Sequence, residues 1–259
     1  RGNVIDPLEL IEKFGADPLR FTLSSMAAQG RDIKLSEDMV KINRNFLTKI
    51  WNAYNFLEKN SCLNQSKFNF NNLKEDVNVW IICELNNFIK SLDQHIKNYR
   101  FNDASKEIYK FIKNIFCDWY LEFCKIIFQY SENKEKILEA KSCIYFVFNT
   151  ILKLSHPFMP FITDYLFFNK LSNKKYLLQE SWPKVNKFKR NQVAINNINK
   201  IISLVTKIRN VKSNLKIEPK SITNLYSEKN IFNYNKKNNL VNNINYLKKI
   251  RLMEYEKLN

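Results

Sequence analysis

Between Ser36 and Leu154 the sequence holds four long runs in which apolar residues return every three or four positions, parted by short polar joints. The runs are 36–59, 74–99, 103–130 and 136–154. That spacing matches the 3.6-residue turn of an α-helix, and such helices bury their apolar stripes by packing on one another. Short joints make neighbours antiparallel, so the expected architecture is an all-α, up-down helix bundle. Sheet-rich alternatives are poorly supplied: only 3 Gly and 6 Pro occur in 259 residues, too few for many tight turns. The Gly-rich loops of a nucleotide-binding α/β domain are also missing.

Punctuation sets the remaining elements. Asp6 can cap a helix that has Pro7 at its first position and Glu9 in its first turn, and Gly15 stops it. Asp17-Pro18 starts another helix, running to about Ala28, and a connector containing Gly30 follows. Ser36, ahead of Glu37 and Asp38, opens the first long run. Residues 60–73 are Asn-rich and aperiodic, hence a loop. Pro157 and Pro160 interrupt the chain before a short helix over 161–171. A polar loop fills 172–190, and a helix runs from beyond Gln192 to about Lys212. The alternation in "LKIEPKSITNLYS" predicts one or two short strands, and 240–257 is read as helical. Three regions follow: a connector at 1–35, the bundle at 36–171, and a small mixed extension at 172–259.

Lys and Arg number 42 against 25 Asp and Glu, a net charge of +17. So large an excess favours a polyanion through phosphate contacts and counterion release. Drift in an AT-rich coding sequence, heavy in Lys, Asn, Ile and Phe, is the competing explanation. Five Cys with no CxxC pair point to reduced core thiols and a cytoplasmic setting. His95 and His156 are too isolated for a zinc site, so no metal is expected. No apolar run is long enough to span a bilayer, and no membrane partner is expected.

Two helix faces carry chemistry. In 36–59, Ile42, Phe46, Ile50, Ala53 and Leu57 fall together as a core seam. Asn45, Lys49, Asn52 and Phe56 share a neighbouring stripe, with a cation, amides and an aromatic ring that suit a splayed-out RNA base. The same stripe also reads as the margin of a wider apolar face. In 103–130, Ile108, Phe111, Ile112, Ile115 and Trp119 form the seam, while Tyr109, Phe116 and Tyr120 form a second aromatic side. Asp118 and Glu122 stand four apart on the remaining side. They read as a solvated face, or as a groove wall that accepts bonds from base amino groups. No His, nucleophile or metal set accompanies them, so no catalytic residue is expected.

"GNVIDPLELIEKFGADPLRFTLSSMAAQGRDIKLS", "RNFLTKIWNAYNFL", "RFNDASKEIYKFIKNIFCDWYLEFCK" and "LKLSHPFMPFITDYLF" resemble consecutive pieces of the valyl-tRNA synthetases, in order and over residues 1 to about 183. A weaker likeness continues through "VTKIRNVKSNLKIEP". Gly2-Asn3-Val4 and the Gly-Ala-Asp at 15–17 are shared with the isoleucine and leucine enzymes, whereas 30–33 and 116–122 look specific to the valine enzyme. The resemblance implies a class I ligase that joins valine to its tRNA with ATP and Mg. In that family the catalytic and editing domains precede a Lys-Met-Ser-Lys-Ser loop. This chain matches the region just after that loop. The chain is therefore expected to hold no cofactor and to be inactive alone, with tRNA(Val) and the N-terminal catalytic domain as partners. By the same resemblance Asn45, Lys49, Asn52 and Phe56 read the anticodon, with Phe56 stacking and Lys49 touching phosphate or base. Glu122 is a further candidate, and Arg20, Arg31 and Lys34 would contact the tRNA backbone. A free-standing tRNA-binding module that charges nothing is the alternative; an isoleucine relative and a purely structural helical protein complete the set.

Overall fold

The computed structural model describes residues 6–27, 33–63, 68–70, 73–171, 175–188 and 190–218, together with two strand backbones at 223–227 and 250–254. Asp6 Oδ1 accepts the Leu8 N–H at 2.8 Å, and Pro7 opens α1 (Pro7–Phe14). Gly15 closes α1 by donating its N–H to the Ile11 carbonyl at 2.8 Å. Its φ of +93° lies where side chains are strained, so one glycine ends α1 and launches α2 (Ala16–Met26). Leu10, Phe14 and Leu19 pack with Val40 in a small core of their own.

The bundle follows with α3 (Glu37–Lys59), α4 (Asp76–Lys97) and a continuous rod from 101 to 130. The rod comprises α5 (Phe101–Tyr109), a π-helical stretch (Lys110–Tyr120) and α6 (Leu121–Tyr130). Then come α7 (Lys134–Ser155), α8 (Pro160–Leu166), α9 (Gln192–Asn214), β1 (Thr223–Ser227) and β2 (Ile250–Glu254). β1 and β2 pair in parallel, with Thr223 opposite Ile250. Residues 250–254 therefore depart from the helix expected over 240–257: pairing with β1 satisfies backbone groups that a helix would satisfy internally. Residues 240–249 lie outside the described residues.

α4 is apolar on most sides, with Val77, Trp80, Ile81, Ile82, Leu85, Phe88, Ile89 and Leu92 all buried, and it occupies the centre. Ala194, Ile195, Ile198, Ile201 and Val205 of α9 join the same core, so the apolar interior runs on past the expected boundary at 171.

Two helical seams differ from the sequence reading. Ile42 is 58% exposed; Val40, some 200° around the helix, takes the inward position there, and Phe46, Leu47, Ile50, Ala53, Tyr54 and Leu57 continue the seam. In the rod, Phe116 and Tyr120 are fully buried, whereas Trp119 is half-buried. The cause is the π-helical stretch. Its i→i+5 bonding widens the turn, so Ile112, Phe116 and Tyr120, each four apart, replace the expected Ile112, Ile115 and Trp119 as the inward row.

Three polar devices fix helix ends and joints. Glu139 of α7 accepts the backbone N–H groups of Lys74 and Glu75 at 3.1–3.2 Å and the Asn78 amide at 2.9 Å, capping α4, which has no side-chain cap of its own. Asn78 in turn accepts the Tyr120 hydroxyl at 2.8 Å. Asn86 makes a two-way amide bridge with Asn186, accepting its backbone N–H and donating to its carbonyl, both at 2.9 Å, while the Trp182 indole donates to Asp93 at 2.7 Å. Together they lace Trp182 and Asn186 onto α4.

The third device is Asp17 of α2, which accepts the Phe161 and Ile162 N–H groups at 3.2 and 2.7 Å and so caps α8. Burial pushes its carboxyl above the usual range, against those two bonds and the neighbouring Arg20 charge, which pull it down. A carboxyl raised on folding contributes most below its unfolded pKa of ~3.9 and loses that contribution as pH climbs through the folded-state value. The stability gap between the parent and Asp17→Asn should therefore shrink over that climb. Denaturant melts of both proteins in a pH series check this, and a gap that widens with pH contradicts it.

Burial also holds the thiols protonated: Cys62 is pushed up to about 11 and Cys117 to about 12. All five cysteines are free. Among the described residues, no helix is long and apolar enough to cross a membrane.

Candidate nucleic-acid interface

α3 and the rod lie side by side and run in the same direction. Lys49 meets Asp118 at 3.5 Å, and further along both helices the Phe56 and Phe128 rings stack with centroids 6.1 Å apart and planes 21° apart. The stripe of α3 and the acidic face of the rod, noticed separately in sequence, are thus two walls of one groove. Lys49 and Asp118 are 43% and 41% exposed, so their attraction is weakened by water and is worth roughly 0–1 kcal/mol. Its consequence is geometric: the ammonium group is held over the groove.

The end of the groove at Phe56 is aromatic and cationic. Lys125 Nζ sits 5.8 Å from the Phe56 centroid while pairing with Glu122, and Lys141 of α7 sits 6.0 Å from the Phe128 centroid. Both rings are half-buried, flat faces each covered by one ammonium group. A nucleobase can replace such a cover, stacking on the ring while the lysine turns to its phosphate. Glu122 is half-exposed beside this pair, and Asn45 and Asn52 are exposed one turn to either side of Lys49. Amides and a carboxylate at the rim supply donors and acceptors for base edges.

The expected backbone contacts lie elsewhere. Arg20 is exposed on α2, where Nη2 donates to the Pro157 carbonyl at 3.2 Å, at the joint with α8. Lys34 is exposed just before α3. At 1.5 Å per residue, the start of α3 is roughly 30 Å from Phe56. Arg31 lies outside the described residues. The sequence reading missed Lys125, Phe128 and Lys141. Lys125 was within reach, because it extends the Asp118–Glu122 face by one turn, and Phe128 extends it by another. Lys141 comes from another helix and left no local signal.

Residues 78–226 match a family model described as the anticodon-binding domain of tRNA ligase. Among curated proteins, the valine–tRNA ligase of Pelagibacter ubique is 43% identical over 237 residues, covering 88% of this chain and 26% of that protein. Those of Mesorhizobium japonicum and Rhodopseudomonas palustris are 42% identical over 229 residues and 48% over 166, covering 87% and 64% of this chain and 24% and 17% of the relatives. The chain thus spans about a quarter of the length of the first two of these relatives. A crystal structure of the agnB2 LeuRS of Agrobacterium radiobacter K84, in a ternary complex with tRNA and LeuAMS, superposes with a TM-score of 0.53 at 16% identity, over 88% of this chain and 23% of that one. That likeness is one of fold.

Proposed function

The chain belongs to the family of tRNA-ligase anticodon-binding domains, and from that premise we propose that it is the anticodon-reading portion of a valine–tRNA ligase, acting on tRNA(Val) beside an N-terminal catalytic domain. The observation that carries this reading is the groove between α3 and the rod, where Lys49 is held by Asp118 and Phe56 lies against Phe128 under Lys125. In this proposal a base of the anticodon stacks on Phe56, Lys49 takes a phosphate or base edge, and Asn45, Asn52 and Glu122 read polar edges from the rim. Arg20, Arg31 and Lys34 contact backbone nearer the catalytic domain.

The full reaction attaches valine to tRNA at the expense of ATP. Among the described residues no group of three or more His, Cys, Asp or Glu suits a metal ion. In this proposal ATP and Mg belong to the catalytic domain, and this chain's task is to hold and select the tRNA. The five unpaired thiols suit a cytoplasmic setting.

The test is a titration with tRNA(Val) and with the same tRNA altered at its central anticodon base. Preference for the unaltered tRNA supports the reading; equal affinity for both defeats it. Phe56→Ala should weaken tRNA(Val) binding by about 1–3 kcal/mol with the fold unchanged, since the ring lies at the edge of the core. Lys49→Ala should flatten the salt dependence by about one unit. Parent-like affinity for the first variant removes Phe56 from the site, and an unchanged slope for the second removes the phosphate contact from Lys49.

A further inference from the structure

Residues 181–217 contain nine Lys and Arg and no Asp or Glu, so these 37 residues carry nine of the seventeen net positive charges. Compositional drift would thin the carboxylates everywhere. Elsewhere they persist on outer faces: Glu37, Asp38 and Glu58 are exposed on α3, and Glu135 on α7. The acid-free stretch is also a firmly seated part of the fold. α9 is anchored on α4 by its apolar row, by the Trp80 indole donating to Asn199 at 3.0 Å and by the Asn197 amide donating to Asp76 at 3.3 Å. The preceding segment is laced down by Asn186 and Trp182.

The charged side chains that face outward are all cations, with exposed Val185, Val193 and Val211 among them. Lys184, Lys187, Arg190, Lys200 and Lys207 are exposed, interspersed on α9 with exposed Asn196, Ser203, Thr206 and Asn210. Lys200 and Lys207 are seven residues apart, on one side of the helix. On the side of α9 opposite Lys200 and Lys207, the Arg209 guanidinium lies 4.9 Å from the Trp119 ring, and Trp119 adjoins Asp118, the partner of Lys49. α9 therefore abuts the rod beside the groove, with its lysine strip turned outward.

We propose that Lys184, Lys187, Arg190 and the outer face of α9 form a second RNA-contact surface, which takes sugar-phosphate backbone outside the groove. This rests on the reading of the groove as an RNA site. Its polar contacts are cations, amides and hydroxyls without carboxylates, so it is indifferent to sequence and acts through counterion release.

The test is a triple substitution, Lys187→Gln, Lys200→Gln and Lys207→Gln, made in the full natural chain. Binding of tRNA(Val), and of the same tRNA with its central anticodon base changed, is followed over a salt series. With about 0.7 unit of slope per phosphate contact, the log–log salt dependence should become shallower by about two units. At low salt both tRNAs should bind at least tenfold more weakly, by the same factor. An unchanged slope overturns the proposal. So does a loss confined to the unaltered tRNA, since the lysines would then act through the groove. If the parent protein fails to distinguish the two tRNAs while the slope still falls, the anticodon reading fails and the strip stands.

Discussion

Replacing Tyr120 with Ala should destabilise the protein by about 3–5 kcal/mol, the range for emptying a large buried aromatic site. Replacing Trp119 with Ala should cost less, although Trp is the larger side chain. Tyr120 is fully buried with its hydroxyl on Asn78, whereas Trp119 is half-buried and roofed by Arg209. The order of the two costs follows from the π-helical stretch over 110–120, since an uninterrupted α-helix would turn Trp119 inward and Tyr120 aside. Urea melts of both variants settle the order, and a larger loss at Trp119 would argue for the ordinary helical register. Tyr120→Phe isolates the hydroxyl: it should cost about 1–3 kcal/mol by leaving the Asn78 oxygen without a donor.

Glu139→Ala should be comparably damaging, at roughly 3 kcal/mol. The carboxylate accepts two backbone N–H groups at the start of α4 and the amide of fully buried Asn78. Hydrogen bonds to a charged group contribute ~1.5–3 kcal/mol each, and donors stripped of a partner inside the protein bear the full desolvation cost. Water can reach part of this end of α4, which keeps the total below the sum of three such bonds. Glu139→Gln keeps one acceptor oxygen at the same reach and should lose about 1 kcal/mol. Equal losses for Ala and Gln would mean that the negative charge at the helix N-terminus, rather than the hydrogen bonds, carries the effect.

Much of the helical order was legible because it is written locally. Asp6-Pro7 and Gly15 bracket α1, Ser36 precedes α3, and Asn-rich segments part the long runs. Periodicity failed where hydrogen bonding departed from the α-helix: nothing in "KFIKNIFCDWY" announces i→i+5 bonds, so Trp119 and Tyr120 were read on each other's sides. It failed again at Ile42, because which apolar residue faces inward at the start of α3 depends on α1 and α2. Half of the groove was readable in the same sense. The Asn45–Lys49–Asn52–Phe56 stripe is a property of one helix. The Asp118, Phe128 and Lys141 contacts that turn the stripe into a groove arise only when three helices meet.

The grip of Asp17 on α8 joins residues about 145 positions apart in sequence. With Arg20 holding the Pro157 carbonyl, α2 and α8 share a seam, and the helices from 16 to 166 close into a ring. A ring does not depend on any one of its covalent links to stay shut. The polar joint at 131–133, exposed at its middle residue and distant in sequence from this seam, is then a place where the chain can be nicked without parting the helices on either side.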